Sequence, residues 1–189
     1  MKKTATAIFF FLLVQSGYSQ LSKKMAKDTL IWKQDSALTK EDFKAKRQGG
    51  VPYPAYSAVT LYFYAKDKEG SLKFYIEAIF LKSKSYMKEI SPYALKHEQI
   101  HFDIVELYAR RMRKRITEKD FTKINNINKE IQKQYEKTWE DIKKEEYKYD
   151  KDTEHGMNSA KQQLWNESIE KQLQELAAYT STEIDIAMK

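Results

Sequence analysis

The chain has 189 residues, of which 41% are hydrophobic and 13% aromatic, and it carries a net charge of +7 at neutral pH. This length and composition predict one hydrophobic core, and therefore a single domain rather than two. The absence of cysteine excludes disulfide bonds and a lipidated cysteine anchor. The densest basic run, residues 110–115, has no interleaved aromatic residues and suits a solvated helix end. We therefore expect no nucleic-acid partner.

The N-terminus has the pattern of a secretory signal peptide. Two lysines precede an apolar run over residues 7–14, and small residues follow just before Gln20. We predict a signal peptide at residues 1–19 and a mature domain at residues 20–189, exported to the periplasm or the cell exterior. Because the apolar run is too short to cross a bilayer, we expect no membrane span in the mature chain. A signal anchor that is retained is the alternative.

The first part of the mature chain is rich in strand signals. Residues 57–64 and 72–81 are dense in β-branched and aromatic side chains, and the polar residues 66–70 between them predict a hairpin loop. Residues 30–33 favour a further strand. Residues 39–46 favour a short helix that begins with a threonine–aspartate capping pair.

The motif His-Glu-x-x-His at residues 97–101 is the main indication of function, because the whole chain contains only three histidines. An i, i+4 spacing on a helix brings His97 and His101 to one face, where both can bind one tetrahedral zinc ion. Glu98 lies about a quarter turn away and can act as a general base without binding the metal. Ser91 and the proline after it predict the start of this helix, which continues past Ile116.

The acidic residues further along the same helix are poor candidates for a third ligand. On a helical wheel, Asp103 and Glu106 both point away from the two histidines. An i, i+4 surface ion pair between Glu106 and Arg110 is the better interpretation.

Two more helices are predicted after the metal-binding helix. Apolar residues recur at steps of three and four from residue 120 to residue 146, and again from residue 158 to residue 178. The last helix is expected to hold the segment before it against the metal-binding helix.

The segment between these two helices contains His155, which is the only other imidazole and the favoured third zinc ligand. Gly156 would let the backbone turn sharply there. Glu154 or Asp152 is the main alternative as ligand. Two neighbouring tyrosines, Tyr147 and Tyr149, are candidates for the group that stabilises the transition state.

Two segments, residues 97–114 and residues 149–165, resemble a family of uncharacterised secreted bacterial proteins described as predicted zinc-dependent proteases. The resemblance extends over nearly all of the mature chain and implies the fold type and the protease activity, but no substrate. One departure is Ile100, where a glycine is common, although a side chain there faces the packed side of the helix. The site that the resemblance implies is zinc bound by His97, His101 and His155, with Glu98 as the catalytic residue.

Together these features predict a small α+β, zincin-like domain in which an antiparallel sheet is followed by three helices. We expect a secreted zinc-dependent peptidase that acts on a peptide or protein substrate. A zinc amidase that acts on cell-wall peptide shares every residue named. A non-enzymatic binding protein with structural zinc is the third hypothesis, and it requires a fourth protein ligand. The oligomeric state is not predicted.

Overall fold

A computed structural model of the chain describes residues 27–46, 54–68, 71–89 and 91–186. The predicted signal peptide, residues 1–19, lies outside the described residues. Within them, an antiparallel sheet is followed by three long helices, which confirms the predicted α+β class.

The main sheet is built on one long hairpin. In chain order the strands are β1 (Thr29–Ile31), β2 (Ala55–Tyr56), β3 (Val59–Lys68), β4 (Ser71–Leu81), β5 (Tyr86–Met87) and β6 (Glu183–Ile186). Strand β3 pairs with one edge of β4, while β1 and β6 pair with opposite ends of its other edge, all antiparallel. Strands β2 and β5 form a separate two-stranded sheet. The predicted strands are confirmed with shifted ends, and the tip of the hairpin lies outside the described residues.

Strand β4 supplies the core face of the sheet. Its side chains at Phe74, Ile76, Ala78 and Phe80 belong to the hydrophobic core, and their spacing of two residues places them on one face of the strand. The ring of Phe80 lies 5.9 Å from that of Phe102 on the first long helix. The core therefore lies between the sheet and this helix.

The three long helices are α1 (Pro92–Thr117), α2 (Ile127–Thr153) and α3 (Ser159–Glu175). The predicted start of α1 is confirmed, since the Ser91 hydroxyl accepts a hydrogen bond from the backbone N–H of Ala94 and proline occupies the first turn. Each of the other two helices begins after an asparagine whose side chain caps it in the same way. Of the helices in the described ranges, none combines the length and apolar character that crossing a membrane requires.

Helix α2 begins and ends seven residues later than predicted. Asp120 caps only a single 3₁₀ turn at Phe121–Lys123, and Asn126 then caps the long helix. At the other end, α2 continues to Thr153, so the first part of the segment predicted as a loop before Gly156 is helical. The extra turns carry residues that line the candidate site.

The predicted helix over residues 39–46 is a single 3₁₀ turn at Lys40–Asp42. The backbone N–H and the hydroxyl of Thr39 both donate to the Asp42 carboxylate, so the predicted capping pair is confirmed although the helix does not continue.

A buried ion cluster crosses the middle of the fold. The predicted pair between Glu106 and Arg110 is present, with the two side chains 2.9 Å apart. The prediction that this pair lies on the surface was wrong, because both side chains are almost fully buried. Arg113, also buried, donates to the other Glu106 oxygen at 2.9 Å and to the backbone carbonyl of Ile76 in β4 at 3.1 Å. Arg110 donates to the carbonyl of Leu173 in α3. The basic run at residues 110–115 is therefore partly internal rather than a solvated helix end.

Replacing the central carboxylate tests this cluster. Glu106→Gln leaves two buried guanidinium groups without an opposing charge, and we expect it to lower the free energy of unfolding by about 3–5 kcal/mol. Urea denaturation at a fixed metal content measures the change. The control is Glu118→Gln, which removes an exposed i, i+4 pair with Lys114 and should leave the midpoint of unfolding unchanged. Equal midpoints for the two variants would contradict a structural role for the cluster.

Candidate metal centre

The residues of the His-Glu-x-x-His motif line a cleft of about 500 Å³. Its walls are formed by residues 54–57 around β2, the first turns of α1, the end of α2 and the segment that follows α2. Clefts of this size that contain a few converging polar groups are typical ligand sites.

Three potential metal ligands converge in this cleft: His97 and His101 from α1, and Asp150 from α2. The Asp150 Oδ1 atom lies 3.5 Å from His97 Nε2 and 3.2 Å from His101 Nε2. Ligand atoms at the corners of a tetrahedron around zinc, with bonds of 2.0–2.1 Å, are about 3.4 Å apart. Two imidazoles and one carboxylate are ligands that zinc prefers, and their spacing fits that ion.

Contacts behind His97 fix the direction of its ring. The Nδ1 atom of His97 lies 2.9 Å from Gln162 Oε1 and 2.8 Å from the Tyr149 hydroxyl, whose ring stacks on the imidazole. Because the amide oxygen of Gln162 can only accept, Nδ1 carries the proton and Nε2 presents its lone pair to the cleft. Burial raises the pKa of Tyr149, so its hydroxyl stays protonated. Such outer contacts orient metal-binding histidines in general.

His101 and Asp150 form a close pair, with His101 Nε2 3.2 Å from Asp150 Oδ1. Burial lowers the pKa of His101, but hydrogen bonds to Asp150 and Glu146 outweigh burial and raise this pKa to about 10. Burial alone would raise the pKa of Asp150, yet its contact with the His101 imidazole holds it well below the usual range.

Glu98 lies in the same cleft and is only 4% exposed. Its Oε2 atom is buried, and within the described part of the chain nothing forms a hydrogen bond with it. An unpaired buried carboxylate oxygen costs free energy and requires an explanation. The predicted catalytic glutamate is thus close to the metal-binding group and has an oxygen without a partner.

His155 is at the edge of this group. It follows α2 in a left-handed backbone conformation, with φ of 54°, and Gly156 has φ of 82°, so the predicted sharp turn is confirmed. Its Nδ1 atom lies 3.6 Å from Asp150 Oδ2, and the side chain is 44% exposed. It lies outside the compact group of three, and its role as a zinc ligand stays a prediction.

The other acidic candidates are engaged elsewhere. Asp152 accepts a hydrogen bond from the Trp165 indole, and Glu154 contacts Asn158. Asp103 accepts from the indole of Trp32, away from the cleft as the helical wheel predicts. Among the tyrosines proposed as transition-state donors, Tyr149 lies behind His97, whereas Tyr147 is 72% exposed and lines the cleft.

Asp150 was not predicted as a ligand, because its segment was interpreted as a loop. The signal was nevertheless present: the steps of three and four along α2 continue from Ile142 through Glu146 and Tyr149 to Thr153. Extending the helix by this periodicity places Asp150 one turn beyond Glu146, which faces His101.

Comparison with known proteins finds one family model that is similar to part of the chain. Residues 82–156 match the family described as "Bacterial protein of unknown function (DUF922)". The match covers fewer than half of the residues, but it includes His97, Glu98, His101, Asp150 and His155. It supports a bacterial family and gives no activity. No curated protein and no solved structure matches the chain.

Two tyrosines two positions apart provide a matched test of the contact behind His97. Tyr149→Phe removes the hydroxyl that contacts His97 and Gln162, and we expect zinc affinity to fall about 10–100-fold. Tyr147→Phe changes an exposed hydroxyl and should leave zinc affinity unchanged. Competition with a chelator of known affinity measures both. Unchanged affinity in Tyr149→Phe would show that this contact does not support the metal site.

Proposed function

We propose that this chain is an exported zinc-dependent peptidase with Glu98 as its general base. The observation that carries the proposal is the partnerless, buried Oε2 atom of Glu98 beside the group formed by His97, His101 and Asp150. A water molecule that attacks a peptide bond would supply the missing partner. The protein therefore maintains a base next to a site suited to a Lewis acid.

A zinc ion held by these residues would polarise the scissile carbonyl and lower the pKa of a water molecule. The carboxylate of Glu98 accepts a proton from the attacking water. It then passes this proton to the nitrogen of the leaving amine. Tyr149 and Gln162 keep the His97 ring in place during these steps.

The third ligand is proposed to be Asp150, with His155 as the competing residue. Distance favours Asp150, because its Oδ1 atom lies within 3.5 Å of both histidine Nε2 atoms. The Nδ1 atom of His155 lies 3.6 Å from the other oxygen of the same carboxylate. If His155 also bound the ion, four protein ligands would surround it, as in structural zinc sites.

Metal titration of single variants separates these assignments. We expect one zinc per chain, and we expect Asp150→Ala to weaken binding by more than the roughly 10–100-fold loss typical of an outer contact. His97→Ala and His101→Ala should weaken zinc binding in the same way, whereas His155→Ala should weaken zinc binding less. The reverse order for Asp150 and His155 would make His155 the third ligand. Full zinc occupancy after loss of either motif histidine would refute the site.

Glu98→Gln separates an enzyme from a structural zinc protein. The substitution keeps the shape of the side chain and removes its basicity, so the variant should fold, retain zinc and lose about 10²–10⁴-fold in hydrolytic rate. Peptide and cell-wall amide substrates, assayed with and without chelator, distinguish a peptidase from an amidase. If wild type and variant were equally inactive on all of them with zinc bound, the enzymatic proposal would fail.

A further inference from the structure

The cleft is surrounded by exposed apolar side chains. Among the described residues, seven large apolar side chains are strongly exposed, and four of them line this one cleft. Isolated exposed apolar residues are ordinary on a protein surface, but a cluster of them marks a binding surface. These four, named here the apolar rim, are Tyr56, Tyr93, Tyr147 and Met157.

The apolar rim is assembled by the fold rather than by one segment. Tyr56 belongs to β2, Tyr93 to the first turn of α1, Tyr147 to α2 and Met157 to the turn before α3. The half-buried ring of Trp139 extends the same surface into the cleft. Tyr147 is 72% exposed and Met157 is 79% exposed. A methionine this exposed does not contribute to core packing.

The charged side chains that line the cleft are mainly acidic, although the whole chain carries a net positive charge. The carboxylates that line it are Glu98, Glu146 and Asp150, and in the described part of the chain no lysine or arginine lines it. A second cavity, of about 390 Å³, is lined by Lys33, Lys96 and Arg110, so the chain does place cations in a cavity elsewhere. The combined negative charge of three carboxylates is larger than the positive charge of one divalent cation. The cleft should therefore repel an anionic substrate.

We propose that the apolar rim selects peptides with bulky apolar or aromatic side chains beside the scissile bond, and that the cleft disfavours acidic residues there. This inference rests on the proposed peptidase function and specifies its substrate class. The volume of the cleft allows only a few residues of an extended peptide to enter, so selection acts close to the bond that is cleaved.

Quenched fluorescent peptides that differ only in the central residue pair test the selection. The pairs are phenylalanine–leucine, alanine–alanine, phenylalanine–glutamate and phenylalanine–lysine. We expect kcat/KM for the first pair to exceed that for the alanine pair by about tenfold or more, because each buried apolar group adds to transition-state binding. Glutamate should lower kcat/KM by at least about tenfold relative to lysine.

Variants of the apolar rim locate the source of the preference. Met157→Ser and Tyr93→Ser should each raise KM for the phenylalanine–leucine peptide about three- to tenfold and change kcat less than about twofold, since they contact substrate away from the reacting atoms. The control is Leu164→Ser, which replaces a leucine that is 58% exposed on α3, outside the cleft. Equal KM values for the rim variants and the control would overturn the assignment of the rim.

Binding to Glu98→Gln protein separates this inference from the proposed function. Fluorescein-labelled versions of the four peptides are titrated against the zinc-loaded variant, and anisotropy gives Kd. If wild type cleaved none of the peptides but the variant still bound the apolar peptide at least about tenfold more tightly than the alanine peptide, the peptidase proposal would fail and the cleft preference would stand. Hydrolysis without any preference, or equal or undetectable binding of all four peptides, would overturn the cleft proposal.

Discussion

The arrangement of the sheet and the helices depends on the ion pairs that the Glu106 carboxylate forms. This carboxylate holds two buried guanidinium groups, and these in turn bind the backbone of β4 and of α3. Helix α1 is thereby attached to the sheet on one side and to α3 on the other. Because a buried charge without its partner is costly, the three elements must keep one relative position. That position also fixes His97 and His101, which lie about one and a half to two and a half turns before Glu106 on the same helix.

The candidate metal centre depends on contacts between helices, because α1 supplies only two of the three groups that converge there. Asp150 comes from α2, and His97 is oriented by Tyr149 from α2 and Gln162 from α3. The three groups converge in the cleft, which lowers the cost of organising a metal site there.

Local signals in the sequence predict much of this molecule, and the failures have identifiable causes. The start of α1 was predictable because a serine cap and a following proline are local features. The long hairpin was predictable from residue type. The start of α2 was not, because Asp120 is a valid cap that here starts only a 3₁₀ turn. Asp150 was missed at the other end of α2, where a helical segment was interpreted as a loop, whereas the motif histidines and Glu98 could be proposed from spacing alone. Burial of Arg113 could not be predicted, since a helical wheel gives the direction of a side chain but not which element covers it.

The state of Glu98 bears on the choice between an enzyme and a structural zinc protein. A structural zinc site requires the ligands and their supporting contacts. A nearby carboxylate with an unpaired buried oxygen has no role in such a site. A buried polar atom without a partner destabilises the fold. A general base, by contrast, must have an oxygen free to receive a proton when substrate arrives. The cost of leaving Glu98 unpaired is therefore explained by the proposed catalytic role, and a structural role leaves it without an explanation.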